Sequence, residues 1–259
     1  MTDQRLVHVT RLGAVVQIGL ANPPLNLVTK EFLEHLDESL QEIERDRSVR
    51  CVVLHQGAAR VFCAGSDMRE FETVRKHAID KKILFEEYVT RRLATLHCPT
   101  IAALDGPALG GGFELALACD IRIAAHDAKV GLTECHIGGL GGSGAVRLTQ
   151  LVGPARASEL LFTGKTLSAP LAQAWGLINE VTVDESAKQR ALAMASEIAQ
   201  RGPLSNVFAK QLIAAAVDGP TSKALSLANE LQEKIFQSED LQRGAKAFFD
   251  KTQVQFEGR

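Results

Sequence analysis

No apolar run in the chain approaches the roughly eighteen residues that a membrane-spanning helix needs, which argues against the helical membrane class. Charge of one sign is equally scarce. The 29 basic and 31 acidic side chains leave a formal charge of −2, so neither nucleic acid nor an anionic membrane surface is expected as a partner. Paired cysteines are missing too. Cys51, Cys63, Cys98, Cys119 and Cys135 are odd in number and contain no Cys-x-x-Cys, so a disulfide framework or a thiolate zinc site is not expected, and buried free thiols are. The N-terminal Met1-Thr2-Asp3-Gln4-Arg5 shows neither an apolar signal region nor a basic amphipathic presequence, so the cytoplasm is the expected compartment. There is no G-x-x-x-x-G-K-[ST] phosphate loop, no internal repeat and no low-complexity stretch.

What is present is ordinary globular material. The 259 residues are 46% apolar and 23% charged, at the upper end for one domain, so one main core with a terminal subdomain is expected. Val7 to Thr10 and Ala14 to Leu20 read as a strand pair. Thr29 can cap a helix in which Phe32, Leu33, Leu36, Leu40 and Ile43 recur at helical spacing. Arg50 to Leu54, Val61 to Gly65, Thr100 to Leu104, Ile121 to Ala124 and Val130 to Leu132 read as short extended segments. A charged helical region covers roughly Arg69 to Leu96, with a break near Ala78, and Pro99 ends it. Helices alternating with apolar strands predict an α/β fold with a buried sheet.

From Ser143 onward the pattern is almost wholly helical, apart from one strand at Val181 to Val183. Ser168-Ala169-Pro170 reads as a helix start and Gly176 as a stop. Further helices are expected over Glu185 to Arg201, Leu204 to Val217, Thr221 to Phe236 and from Glu239. A soft boundary near 200 divides a 1–200 core from a helical 201–259 region, which is too small for a large core of its own and should dock on the body or on a neighbouring subunit.

The densest signal is Asp105-Gly106-Pro107-Ala108-Leu109-Gly110-Gly111-Gly112-Phe113-Glu114. Three glycines leave the backbone open to close approach, and the good helix formers that follow place a helix start within them. Unpaired N–H groups there suit a developing negative charge. Glu114 falls on that first turn, where a carboxylate can also be merely a helix-start residue.

Other patterns fail on context. Gly139 to Gly144 matches G-x-G-x-x-G by letter, but no βαβ strand leads into it. Ser143 lacks the final glycine of a nucleophile elbow, because that position is Ala145. His126 and His136 read as structural or solvated. What survives is a combination. Ala64-Gly65-Ser66-Asp67 and Leu109 to Gly112 each follow an apolar segment and can each offer a free N–H, the minimum for a two-donor oxyanion site. Glu114 and Glu134 lie in apolar surroundings, where two carboxyls can hold different protonation states. Together these make a site that stabilises an enolate and moves protons beside it.

Phe62-Cys63-Ala64-Gly65-Ser66-Asp67, Ile101 through Leu115 and Cys119-Asp120-Ile121 resemble the signature of the crotonase (enoyl-CoA hydratase/isomerase) superfamily. So do Asn22-Pro23-Pro24-Leu25-Asn26, Leu161-Phe162-Thr163-Gly164, Ala174 to Ile178, Ser238-Glu239-Asp240 and Ala247 to Lys251, so the resemblance runs along essentially the whole chain. It implies a spiral of ββα units with a helical C-terminal trimerisation region, assembled as a homo-trimer or a hexamer built as a dimer of trimers. It also implies that the N–H groups of Ser66 and Gly111 hold the thioester oxygen of an acyl-CoA, and that Glu114 and Glu134 are the catalytic pair. Ala64, Ser66, Asp67, Met68, Arg69, Gly111, Gly142, Phe248 and Lys251 would line the CoA-ester site. For Arg69 the alternative is an exposed helix-start charge, and Thr252 stands where a second basic residue is common after the lysine.

By the same resemblance the activity is reversible hydration of a 2-enoyl-CoA, with water as nucleophile and no metal or redox cofactor. After Glu134 the chain departs from the usual proline and glycine pair, carrying Leu140-Gly141-Gly142-Ser143-Gly144-Ala145. A carnitinyl-CoA-type dehydratase, an enoyl-CoA isomerase and an acyl-CoA hydrolase therefore stand as alternatives. So does a non-catalytic RNA-binding homologue, which would need a basic helix face. Arg75-Lys76-His77 to Lys81-Lys82 is the candidate for that face, and it reads as a solvated surface.

Overall fold

The structure, a computed structural model, describes residues 5–259. Met1 to Gln4, on which the compartment expectation drew, lie outside them. The chain opens with β1 (Val7–Leu12) and β2 (Val15–Leu20), paired antiparallel across a turn at Gly13. Helix α1 (Lys30–Arg45) follows, its first turn capped by the Thr29 hydroxyl, which accepts from the Phe32 N–H at 3.1 Å. The five apolar residues expected on its inner face are all buried.

Three ββα turns come next. In the first, β3 (Cys51–His55) leads through an extended stretch to α2 (Met68–Val74), a 3-10 turn, a π-helical turn over Ile79–Ile83 and α3 (Leu84–Ala94). In the second, β4 (Thr100–Leu104) leads to β5 (Ala108–Leu109) and α4 (Gly111–Ala118). In the third, β6 (Ile121–Ala125) leads to β7 (Lys129–Gly131) and α5 (Gly142–Thr163). Then come β8 (Leu167–Ser168), α6 (Ala169–Ala174), β9 (Glu180–Thr182) and four helices: α7 (Ala187–Ala199), α8 (Pro203–Asp218), α9 (Thr221–Gln237) and α10 (Glu239–Asp250).

The main sheet runs β1-β2-β3-β4-β6-β9, parallel except for the first pair. Its central strands β3 and β4 are almost wholly apolar because both faces are covered. Val52 and Leu54 of β3 face the larger core, while Cys51 and Val53 face Ala187, Ala191 and Ala195, spaced four apart on α7. Small side chains let that helix lie close to the sheet. A second sheet, β5-β7-β8, is prolonged by bridges between Cys63 and Ala108 and between Val28 and Ser66. Successive turns of the spiral therefore stack their second strands side by side. That stacking sets Ser66, Gly111 and Glu134 next to one another although 68 positions separate the first from the last.

The fold differs from expectation in several places. The long helix from Gly142 is broken at Gly153, whose φ of 75° and ψ of 166° are not helical, and Pro154 begins the next stretch. The short strands β5 and β8 exist only through long-range pairing, both with β7 and β5 also with Cys63, so nothing local marks them. Helix α8 is held to the body by Lys210, whose ammonium meets Asp120 at 2.8 Å, and the carboxyl of Asp120 also accepts from the Thr100 hydroxyl. Arg50 donates to the carbonyls of Ala199 and Phe256, joining β3 to the C-terminal segment. Four of the cysteines are buried free thiols as expected, whereas Cys135 is only half-buried. No helix among the described residues is long and apolar enough to cross a membrane.

Candidate active site

Gly110 precedes α4 with φ of 51°, a left-handed value that glycine adopts without strain. Its N–H donates to the Gly131 carbonyl at 2.9 Å, and the Leu109 N–H donates to Cys63. Beyond them the ladder stops. Among the described residues, the N–H of Gly111 finds no acceptor in the protein. The same holds for Ser66, although the neighbouring Asp67 N–H donates to Val28 at 3.0 Å. The two free donors lie side by side: a Cβ placed on Gly111 would come within 3.4 Å of the Ser66 nitrogen and within 2.8 Å of its Oγ. The two segments singled out by sequence thus converge, and the bare Cα of Gly111 is what allows it.

Glu114 lies in the first turn of α4 and faces the start of α5. A Cβ on Gly144 would fall 2.9 Å from its Cδ, so the carboxyl occupies the space that glycine leaves open. The Ser143 hydroxyl donates to Glu114 Oε2 at 3.0 Å. Burial pushes the Glu114 carboxyl above its ordinary pKa; the Ser143 hydroxyl opposes that shift, and the charges of Glu134 and Glu86 add to it. Glu134 begins a single 3-10 turn after β7. Its carboxyl sits between two glycines, such that a Cβ on Gly110 would lie 3.1 Å from Oε1 and one on Gly141 3.2 Å from Oε2. Burial raises its pKa as well. Two carboxyls of raised pKa beside two free N–H groups can move protons next to an oxygen that is gaining charge.

Of the other residues expected around the site, Ala64 donates its N–H to Leu25. Asp67 caps α2 through the Arg69 N–H at 2.9 Å. Arg69 turns back onto the Asp67 carboxyl in a two-pronged pair, with Nε to Oδ1 at 2.9 Å and a terminal nitrogen to Oδ2 at 2.6 Å, while its side chain stays 84% exposed. Met68 is exposed. Gly142 opens α5 with open space around its Cα. Phe248 and Lys251 are not brought to the pocket by their own chain. Phe248 is 79% exposed and packs edge-on against Phe249, and Lys251 ends α10, which packs against α9.

Two groups were missed or misread. Ser143, set aside as an imperfect nucleophile motif, is the hydrogen-bond partner of Glu114; its only sequence signal was its place among the glycines after Glu134. Lys82, read as part of a solvated basic face, is 3% exposed. Its ammonium pairs with Glu70 at 2.6 Å and Glu86 at 3.2 Å, so it cannot serve a surface that binds polyanions.

Comparison with known proteins shows the family and the fold. The family model described as enoyl-CoA hydratase/isomerase matches residues 10–259. The human enoyl-CoA hydratase domain-containing protein 2, mitochondrial, is 35% identical over 239 residues, 90% of this chain and 82% of that protein. The rat mitochondrial methylglutaconyl-CoA hydratase is 33% identical over 238 residues, 90% and 76% respectively. The crystal structure of an enoyl-CoA hydratase from Bacillus anthracis superposes with a TM-score of 0.94 at 32% identity, covering 98% of this chain and 100% of that one. With its spiral of ββα turns and a family model spanning nearly all of its length, the chain belongs to the enoyl-CoA hydratase/isomerase family of the crotonase superfamily.

Proposed function

We propose that the chain catalyses the reversible addition of water to a 2-enoyl-CoA, giving a 3-hydroxyacyl-CoA. Its family makes it an enzyme of the hydro-lyase class. The observation that carries the reading is the gathering of two free backbone N–H groups and two carboxyls of raised pKa around the glycines at the starts of α4 and α5. The thioester oxygen accepts from Ser66 and Gly111. As water bonds to C3, the C2=C3 electron pair moves toward that oxygen, and each donor contributes on the order of 2.7 to 4 kcal/mol to the transition state.

Glu114 receives the Ser143 hydroxyl, which favours its ionised form, so it takes the proton from water. Glu134, whose carboxyl pKa burial raises against the pull of its own backbone N–H, is the member of the pair to which the reading gives the proton delivered to C2 when the enolate collapses. Exchange between the two carboxyls, directly or through water, resets the pair, and dehydration runs the same steps backwards. Ala64, Asp67, Met68, Arg69 and Gly142 flank the ester, and Phe248 and Lys251 reach it from a neighbouring copy. The reading assigns no metal or redox cofactor. Exposed Phe236, Phe248 and Phe249 support a homo-trimer or a dimer of trimers; a strictly monomeric active protein in light scattering would contradict that.

The test is the mass of the product formed from crotonyl-CoA. Gain of one water with the thioester intact is expected. Release of a free thiol would make the chain a hydrolase, and a shifted double bond without change of mass would make it an isomerase.

A further inference from the structure

A third carboxyl borders the pocket. Glu86 lies in the first turn of α3, and its Oε1 accepts from the Ser66 hydroxyl at 3.1 Å while pairing with the Lys82 ammonium at 3.2 Å. Lys82 is itself fixed, with Glu70 Oε2 at 2.6 Å and the Val28 carbonyl at 3.4 Å. Glu86 is therefore one side chain removed from a donor of the oxyanion pair, and its charge is felt by Glu114. Both of its protein partners take Oε1. Among the described residues nothing donates to Oε2, and the Glu86 side chain keeps 20% of its exposure. An oxygen of a half-buried carboxylate needs a donor, from water or from a ligand. A plain alkyl chain packed there would strip the water and leave nothing in its place, whereas a hydroxyl would replace it.

We infer that Glu86 is a specificity-determining residue, which selects acyl groups bearing a hydroxyl close to the reacting double bond by accepting that hydroxyl's hydrogen bond on Oε2. The inference rests on the hydratase reading above. Lys82 is the positioning residue, holding Oε1 so that Oε2 is the oxygen presented.

The experiment compares kcat/KM for crotonyl-CoA and 4-hydroxycrotonyl-CoA in the wild type, in Glu86→Gln and in Glu86→Leu. Lys82 and Ser66 would keep the amide oxygen of Glu86→Gln, so its NH2 would stand in the place of Oε2 and turn an acceptor into a donor. The wild type should favour the hydroxylated ester about ten- to a hundredfold, and both variants should reduce the preference to within a few fold. Equal values in the wild type, or a preference that survives in whichever variant folds, would overturn the inference. If neither ester is turned over, the hydratase reading falls. Equilibrium binding of butyryl-CoA and 4-hydroxybutyryl-CoA then decides the role of Glu86 by the same comparison, a tenfold preference lost in the variants supporting it and equal affinities refuting it.

Discussion

Replacing Ser143 with alanine should move the acid limb of the pH–rate profile upward by about one unit. The Ser143 hydroxyl donates to Glu114 Oε2 at 3.0 Å and so stabilises the ionised carboxyl. Hydrogen bonds to charged groups contribute about 1.5 to 3 kcal/mol, and because both partners here are half-buried the lower figure applies. At about 1.4 kcal/mol per pKa unit, its loss is worth about one unit. The sign follows from the charge. Without the donor the anion is less stable, so Glu114, already raised by burial, binds its proton up to a still higher pH. A base acts only when ionised, so activity is lost as pH falls through its pKa, and that loss now begins at higher pH. The assay is decay of the enoyl-thioester absorbance across a pH series, with kcat on the plateau within a few fold of the wild type. An unmoved limb, or one moved to lower pH, would refute the assignment of Glu114 as the base that Ser143 holds ionised.

Gly111→Pro removes one of the two free N–H groups and should lower kcat/KM by roughly a hundredfold or more in steady-state kinetics. Gly144→Ala would press a methyl group into the Glu114 side chain; overpacking of about 1 to 3 kcal/mol should appear in urea unfolding, together with a loss of kcat larger than any change in KM. Asp105→Ala removes the carboxyl that accepts from the N–H groups of Ala187 and Lys188 at the start of α7, and should lower stability by about 1 kcal/mol with little change in kcat.

Much of this was legible in the sequence for definite reasons. The apolar strands Cys51–His55 and Thr100–Leu104 and the capped helix after Thr29 declare themselves by local pattern. The glycines before Glu114 mark the helix start because they alone tolerate the φ of Gly110 and the approach of Ser66 to Gly111. What escaped depends on the spiral. Lys82 looks like a solvated charge until Glu70, twelve positions earlier, and Glu86 are folded around it. Ser143 acquires its role only because α5 starts opposite α4, and β5 and β8 are strands only by virtue of partners distant in the chain. The break at Gly153-Pro154 was visible in the letters, yet the surrounding helical pattern outweighed it.

The central claim, that two carboxyls share the work of hydration, is tested most directly by following loss of the crotonyl-CoA absorbance with the wild type, Glu114→Gln and Glu134→Gln. The account predicts rapid loss with the wild type and severe loss of turnover in each variant, with CoA-ester affinity kept within a few fold, because the changes are isosteric and act on proton transfer. Near-full activity in either variant would contradict it.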